Sequence, residues 1–152
     1  MSVKGVLKGN HIPRSNYAVV VFGLAIPSVT VTKVSSISQE TDSAELPDRT
    51  TVSGGNAKTV EFTIETPAHH AAEQLAMQAW VLEGRGNVLP TYKKVFTINH
   101  LALDGSIAGI TVVTGAWCSK FETPEGDMGV EGEAAMVTYT IKGDLAAYAP
   151  VP

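Results

Sequence analysis

The chain is poor in cysteine, in charge and in long apolar runs, and each shortage removes a class of protein. Its one cysteine, Cys118, excludes an internal disulfide and fits a reducing compartment. No segment approaches the ~20 consecutive apolar residues of a membrane-spanning helix, so no membrane partner is expected. Residues 1–16 lack the apolar run of a signal peptide, and the expectation is a chain made in the cytoplasm. Basic residues are the minority: 11 Lys and Arg stand against 15 Asp and Glu, a net charge of -4. That balance argues against a sequence-reading DNA-binding domain, which carries a basic face. Charged residues make up only 17% of the chain, below the ~25–35% of designed soluble surfaces. Either copies of the chain cover part of its surface, or the surface is simply rich in Ser and Thr; composition leaves both open.

At 152 residues the chain is expected to form a single domain, 1–152. One long helix is predicted over 67–83. Thr66 suits its N-cap, Pro67 its first position, and Gly84 its end, with Arg85 near the negative end of the dipole. Ala71, Ala72, Leu75, Ala76, Ala79 and Leu82 recur at three- and four-residue spacing, widened by Met77, Trp80 and Val81, and this stripe is expected to bury against a sheet. The rest reads as strand and turn. Residues 17–22, 29–34, 58–65, 92–98, 110–114, 116–121 and 135–141 are rich in β-branched and aromatic residues or alternate with period two. Alternation continues weakly to Asp42, which suggests one long strand from Ser28 with a polar face. Residues 1–16 read as an N-terminal arm with four basic or imidazole side chains, Lys4, Lys8, His11 and Arg14, and no acid. Residues 43–58 read as a long loop, of a length that is usually functional or partner-bound. The predicted architecture is mainly β: an antiparallel sandwich or barrel with a single helix packed on it, a long loop and an extended arm.

Chemistry is thinly represented. His69, His70 and Glu73 share one helical face at metal-ligand spacing and begin an H-x-x-E-H pattern, but Gln74 stands where the second histidine belongs. A catalytic metal would need His11 or His100 from elsewhere. Cys118 lies in a strand with no helix N-terminus to activate it. There is no G-x-S-x-G elbow, and Gly54-Gly55-Asn56-Ala57-Lys58 lacks phosphate-loop spacing. No catalytic residue, cofactor or metal is expected. Acids cluster: Glu40, Asp42, Glu45 and Asp48 in one window, Glu122, Glu125, Asp127, Glu131 and Glu133 in another, with no base in either.

The run Asn16-Tyr17-Ala18-Val19-Val20-Val21, then Gly23-Leu24, then Val34-Ser35-Ser36-Ile37-Ser38-Gln39-Glu40, then Gly54-Gly55 and the 59–64 strand, resembles the start of phage tail tube proteins. That family includes the inner tubes of contractile tails, pyocins and type VI secretion. Glu133-Ala134-Ala135-Met136-Val137-Thr138-Tyr139-Thr140-Ile141 resembles its closing strand, and Ser36 stands where the motif usually has glycine. The resemblance implies stacked hexameric rings whose strands join into one barrel around a channel. Subunit multiplication is needed because about eight strands enclose only side chains, whereas a wet lumen takes roughly sixteen or more. It further implies a virion location in the tail, with tail sheath, baseplate and tape measure proteins as partners. DNA would pass through the lumen without sequence-specific binding, since acidic walls repel phosphate where basic walls would trap it. Glu40, Asp42, Glu131 and Glu133 are then candidates to face the lumen. Lys4, Lys8, Arg14, Glu45, Asp48, Arg49 and Lys58 are candidates for contacts between subunits. Two other readings remain: a monomeric β-sandwich binding or virion-decoration module, and a metal-dependent hydrolase at His69, His70 and Glu73.

Overall fold

The period-two segments become ten strands in the computed structural model, which describes residues 12–85, 90–126, 128–129, 132 and 134–151. In chain order these are β1 (Tyr17–Phe22), β2 (Ser28–Val29), β3 (Lys33–Val34), β4 (Thr41–Glu45), β5 (Thr51–Ala57) and β6 (Val60–Pro67). The helix α1 (Ala71–Glu83) and a 3₁₀ turn (Pro90–Tyr92) follow, then β7 (Lys94–Leu101), β8 (Ile107–Glu122), β9 (Met136–Gly143) and β10 (Leu145–Pro150). Every pairing is antiparallel. The main path runs β2-β1-β7-β8-β9-β6-β3, with β10 also on β8, while β4 and β5 form a separate two-stranded sheet. The architecture is thus an antiparallel sandwich carrying one helix, as the alternation predicts.

The two layers share β8. Its first part pairs with β7 on one side and β10 on the other, and residues 117–122 pair with β9. β9 and β10 run along the same edge of β8, from Lys142 opposite Trp117 to Leu145 opposite Thr114, so their register carries across Asp144 without a slip. The bend falls where β8 carries Gly115 at φ 65°. A bulge between β7 and β8 adds a residue here, which sharpens the local twist. A Cβ at Gly115 would collide with the Asp144 carboxylate. That carboxylate accepts from Lys93 Nζ at 3.0 Å, and Asp144 N donates to Thr114 O at 3.0 Å. Two segments that read as separate strands, 110–114 and 116–121, are therefore one sixteen-residue strand folded over a glycine.

Inward residues of both layers meet in one core. Val19, Val21, Val60, Phe62, Ile64, Phe96, Ile98, Val113, Tyr139 and Ile141 belong to it, and Phe62 meets Phe96 edge-on at 4.9 Å between ring centroids. The helix adds Met77, Trp80 and Val81. Trp80 is 1% exposed, and its indole N–H donates to Tyr92 O at 2.7 Å.

The helix departs from expectation in its start and in its face. β6 continues through Pro67, and Thr66 is buried rather than capping: its hydroxyl donates to Val137 O at 3.1 Å and accepts from Gln74 Nε2 at 2.6 Å. Pairing with β9 gives residues 66–67 more than a first helical turn would. α1 begins four residues later than predicted, without a side-chain cap. Gly84 ends it in a right-handed conformation, φ -78°, so its freedom at positive φ is not used. Ala76, Met77, Trp80 and Val81 face the core, whereas Leu75 and Leu82 are 73% and 60% exposed. Ala71, Ala72 and Ala79 lie exposed with them. Much of the predicted stripe points outward.

Other boundaries shift too. The 29–34 strand is two fragments in different layers, β2 and β3, and residues 35–40 form no strand, so there is no long polar-faced strand from Ser28 to Asp42. The 43–58 loop is instead largely the β4–β5 hairpin. Of the arm, residues 1–11 lie outside the described residues. Asn16 is anchored, its amide donating to Ala102 O at 2.8 Å.

Glu73 fastens the start of the helix to the β2–β3 connection. One carboxylate oxygen accepts from Thr30 N at 3.0 Å and Thr30 Oγ1 at 3.1 Å, and the other lies 2.7 Å from His70 Nδ1. Burial alone would raise the Glu73 pKa, but the bonds from His70 and Thr30 outweigh it, and the value falls below the usual 4.5. A lowered folded-state pKa contributes stability fully above the unfolded value, and that stability is lost as pH falls through the folded one. Glu73→Gln is expected to cost about 1–3 kcal/mol near neutral pH and to flatten the acid limb of a stability-versus-pH curve. An unchanged acid limb would refute the tether. At the bend, Gly115→Ala is expected to cost about 1–3 kcal/mol, roughly 2–12 °C in melting temperature for a chain this size. Gly105 also has positive φ, 86°, but open space around it, so Gly105→Ala should lose less. Equal losses would show that the contact with Asp144 is immaterial.

Candidate assembly surface

The β4–β5 hairpin leaves the sandwich with nearly every residue exposed. Its tip is nonetheless built. Leu46 N donates to Thr50 O at 2.8 Å, Arg49 N to Leu46 O at 2.9 Å, and the Asp48 carboxylate accepts from Thr50 N at 3.1 Å and Thr50 Oγ1 at 2.6 Å. The Thr50 hydroxyl and amide, in that order, hold the Asp48 pKa below its ordinary value. Arg49 takes the left-handed conformation, φ 70°, a strained position for a residue with a side chain. Leu46 and Val52, both 42% exposed, put apolar side chains into water beside these charges. An isolated two-stranded hairpin is marginal in water, and the bonds at its tip help to hold this one.

Six of the residues singled out by sequence meet on this element. Glu40 and Lys58 pair at its base, Nζ to Oε2 3.4 Å, with Lys58 N donating to Glu40 O at 2.8 Å. Asp42 sits half-buried at a register shift in β4, its Cβ against Gly54. Glu45 is exposed on β4, and Asp48 and Arg49 form the turn. The candidates for the lumen and those for contacts between subunits therefore share one hairpin. Arg14 lies apart, exposed beside a groove. Lys4, Lys8, Glu131 and Glu133 fall outside the described residues.

The groove was not legible in the sequence. It has a volume of about 1100 Å³ and is lined by residues 12–15, by 31–37 between β2 and β4, and by 146–148 of β10, with Tyr17, Ile98, His100 and Thr111 among them. Among the described residues of the lining, Arg14 and Lys33 carry the charge and none is Asp or Glu. Lys33 is largely solvated, with Glu65 at 3.9 Å. Burial lowers the His100 pKa, which favours the neutral ring, and its Nε2 lies 2.8 Å from Thr111 Oγ1. β10 borders the groove with its outer edge. Ala146 N donates to Gln39 Oε1 at 2.9 Å, and the amide of Tyr148 turns the same way. Gln39 also donates to Lys58 O and Asp144 O, at 2.7 and 2.9 Å, tying the hairpin base to the end of the groove.

The residues with possible chemistry are otherwise engaged. Both Glu73 oxygens are committed to Thr30 and His70, and His69 stacks edge-on against His70 at 4.5 Å. His100 lies against Tyr148, at 5.8 Å between ring centroids. Among the described residues no three His, Cys, Asp or Glu side chains converge on a metal position. Cys118 is buried, and burial pushes its thiol up to about 12.

No protein-family model matches the chain, and no curated protein matches its sequence. Solved structures do match its shape. A chain in the sheath-tube complex of an extracellular contractile injection system, PVC, in its extended state, is 18% identical, has a TM-score of 0.74 and is matched over 99% of both chains. A chain in the anti-feeding prophage cap, the AFP tube terminating cap, is 18% identical at a TM-score of 0.73, over 99% of this chain and 100% of that one. Hcp1 from Flavobacterium johnsoniae is 18% identical at 0.53, over 90% of this chain and 96% of its own. At such identities the likeness is one of fold: over nearly its whole length the chain shares the fold of these chains from contractile injection system assemblies.

Proposed function

We propose that this chain is a structural tube subunit, stacking as hexameric rings into a hollow tube within a contractile tail. The observation that carries the reading is the whole-length likeness, at a TM-score of 0.74, to a chain of a sheath-tube complex. The hairpin supports it: an element exposed on both faces, with a preorganised tip, is suited to pairing with a neighbouring copy. The outer edge of β10 supports it as well, because exposed strand edges invite aggregation unless another chain closes them. No turnover is expected of such a subunit. Its partners would be sheath, baseplate and tape measure proteins, and its cargo DNA or another macromolecule that slides past without specific binding.

In this reading Glu40, Asp42, Glu131 and Glu133 supply negative charge to the lumen. Lys4, Lys8, Arg14, Glu45, Asp48, Arg49 and Lys58 make contacts within and between rings. The second reading, a monomeric binding or virion-decoration module, is favoured by one feature, the hairpin being formed in a lone chain.

Negative-stain electron microscopy and mass in solution separate the two. The tube subunit is expected to give six-fold rings or hollow tubes, alone or when seeded with its baseplate. A 16.0 kDa monomer under both conditions would sink it and favour the module. For the lumen, Glu131→Lys with Glu133→Lys is expected to leave the melting temperature almost unchanged and to reduce DNA delivery by assembled tails. Full delivery by tails carrying both changes would remove these two acids from the channel wall.

A further inference from the structure

The rings of His69 and His70 meet edge-on just before α1, and they belong to neither the hairpin nor the groove. One of them is held in a defined state by Glu73. The carboxylate Oε1 accepts from Thr30 N at 3.0 Å and Thr30 Oγ1 at 3.1 Å, while Oε2 lies 2.7 Å from His70 Nδ1. With its pKa below the ordinary value, Glu73 is ionised at neutral pH and can only accept hydrogen bonds. His70 Nδ1 therefore carries the proton, and in the neutral ring Nε2 keeps an unshared pair. A carboxylate accepting from one ring nitrogen is how metal-binding histidines are oriented: it sets the tautomer, fixes the ring and makes the other nitrogen more basic.

The second imidazole stands beside the first. His69 is exposed, its ring centroid lies 4.5 Å from that of His70, and the ring planes are 86° apart. Two imidazoles bound side by side to one ion at about 2.0–2.1 Å per nitrogen have centroids roughly 4.5–5.3 Å apart. The rings thus already stand at the separation that a shared ion requires, and the exposed His69 can present a nitrogen to it by a change of rotamer alone. We propose that His69 and His70 together bind one divalent transition-metal ion of the zinc, nickel or copper class, with Glu73 as the positioning residue behind His70. Imidazole selects that class, whereas calcium and magnesium want oxygen ligands and both Glu73 oxygens are already engaged. The Glu73 charge also offsets the positive end of the helix dipole, which by itself would disfavour a cation here. Two protein ligands leave water at the remaining positions, in keeping with the absence of any three-donor cluster among the described residues. Because the folded arrangement is what binds, metal raises the melting temperature by mass action.

The test is calorimetric titration of nickel(II) or zinc chloride into the untagged full-length chain, into His69→Ala, His70→Ala and Glu73→Gln, and into a control carrying His11→Ala with His100→Ala. One ion per chain is expected at micromolar metal. Affinity is expected to fall at least tenfold in each of the first two variants and about 10–100-fold in Glu73→Gln, which keeps both ligands, and to be unchanged in the control. Imidazole nitrogen NMR of the wild-type chain needs no variant: metal-free His70 is expected in the Nδ1–H form, and zinc is expected to shift His69 and His70 but not His100. Absence of saturable binding at micromolar metal, binding that survives either single histidine change, binding lost in the control, or a metal-free His70 in the Nε2–H form would each overturn the site. Binding that needs both histidines but ignores Glu73→Gln would overturn the positioning role.

Discussion

The backbone ladder of β8 is the constraint on which the remaining structure depends. One strand of sixteen residues supplies hydrogen bonds to both layers and folds over at Gly115 between its pairing with β10 and its pairing with β9. The bend needs a residue tolerant of φ 65° and room for the Asp144 carboxylate, and only glycine provides both. Because β9 and β10 follow the same bend in one register, the layers close over the core as a unit. Val113, Ala116 and Cys118 on β8 then all point into it.

A second device secures the far end of the helix. Lys94 is 8% exposed, yet its ammonium donates to Gly23 O at 3.1 Å and Thr91 O at 3.2 Å, and stands 3.0 Å from Glu83 Oε2. Its aligned donors go to the two carbonyls, so Glu83 Oε2 is held by charge rather than by a well-directed hydrogen bond. Buried charge of this kind is costly unless paired and hydrogen-bonded, and weak evidence of net stability even then. What it does give is a fixed location: the turn after β1, the 3₁₀ turn and the end of α1 are drawn to one nitrogen. With Glu73 holding the start of the helix, α1 is secured at both ends while its outer face carries Leu75 and Leu82 into solvent.

Parts of the surface lie uncovered in the lone chain. The hairpin, the β10 edge and the outer helix stripe are three separate features that water serves poorly. Fold likeness to chains of injection-system assemblies and these uncovered surfaces are independent observations, and both support the assembly proposed above.

Strand content and the presence of a single helix were legible locally, because alternation at Val60, Phe62 and Ile64 or at Val137, Tyr139 and Ile141 reports a pleated strand with one buried face whatever lies opposite. The acidic character of residues 40–48 was equally plain. Tertiary structure alone decided the face of the helix: with Ala and Leu on one side and Met and Trp on the other, both stripes are apolar, and the position of the sheet selects Trp80. It decided that Thr66 pairs in a strand instead of capping, because β9 lies beside it. It made a hairpin of a segment rich in Gly, Ser and Asn, where propensity argues for a loop. It also joined 110–114 to 116–121, since a glycine between two strands reads equally as a turn or a bend until the partners on either side are known. The groove arises from residues more than a hundred positions apart, and no local pattern encodes a space between them.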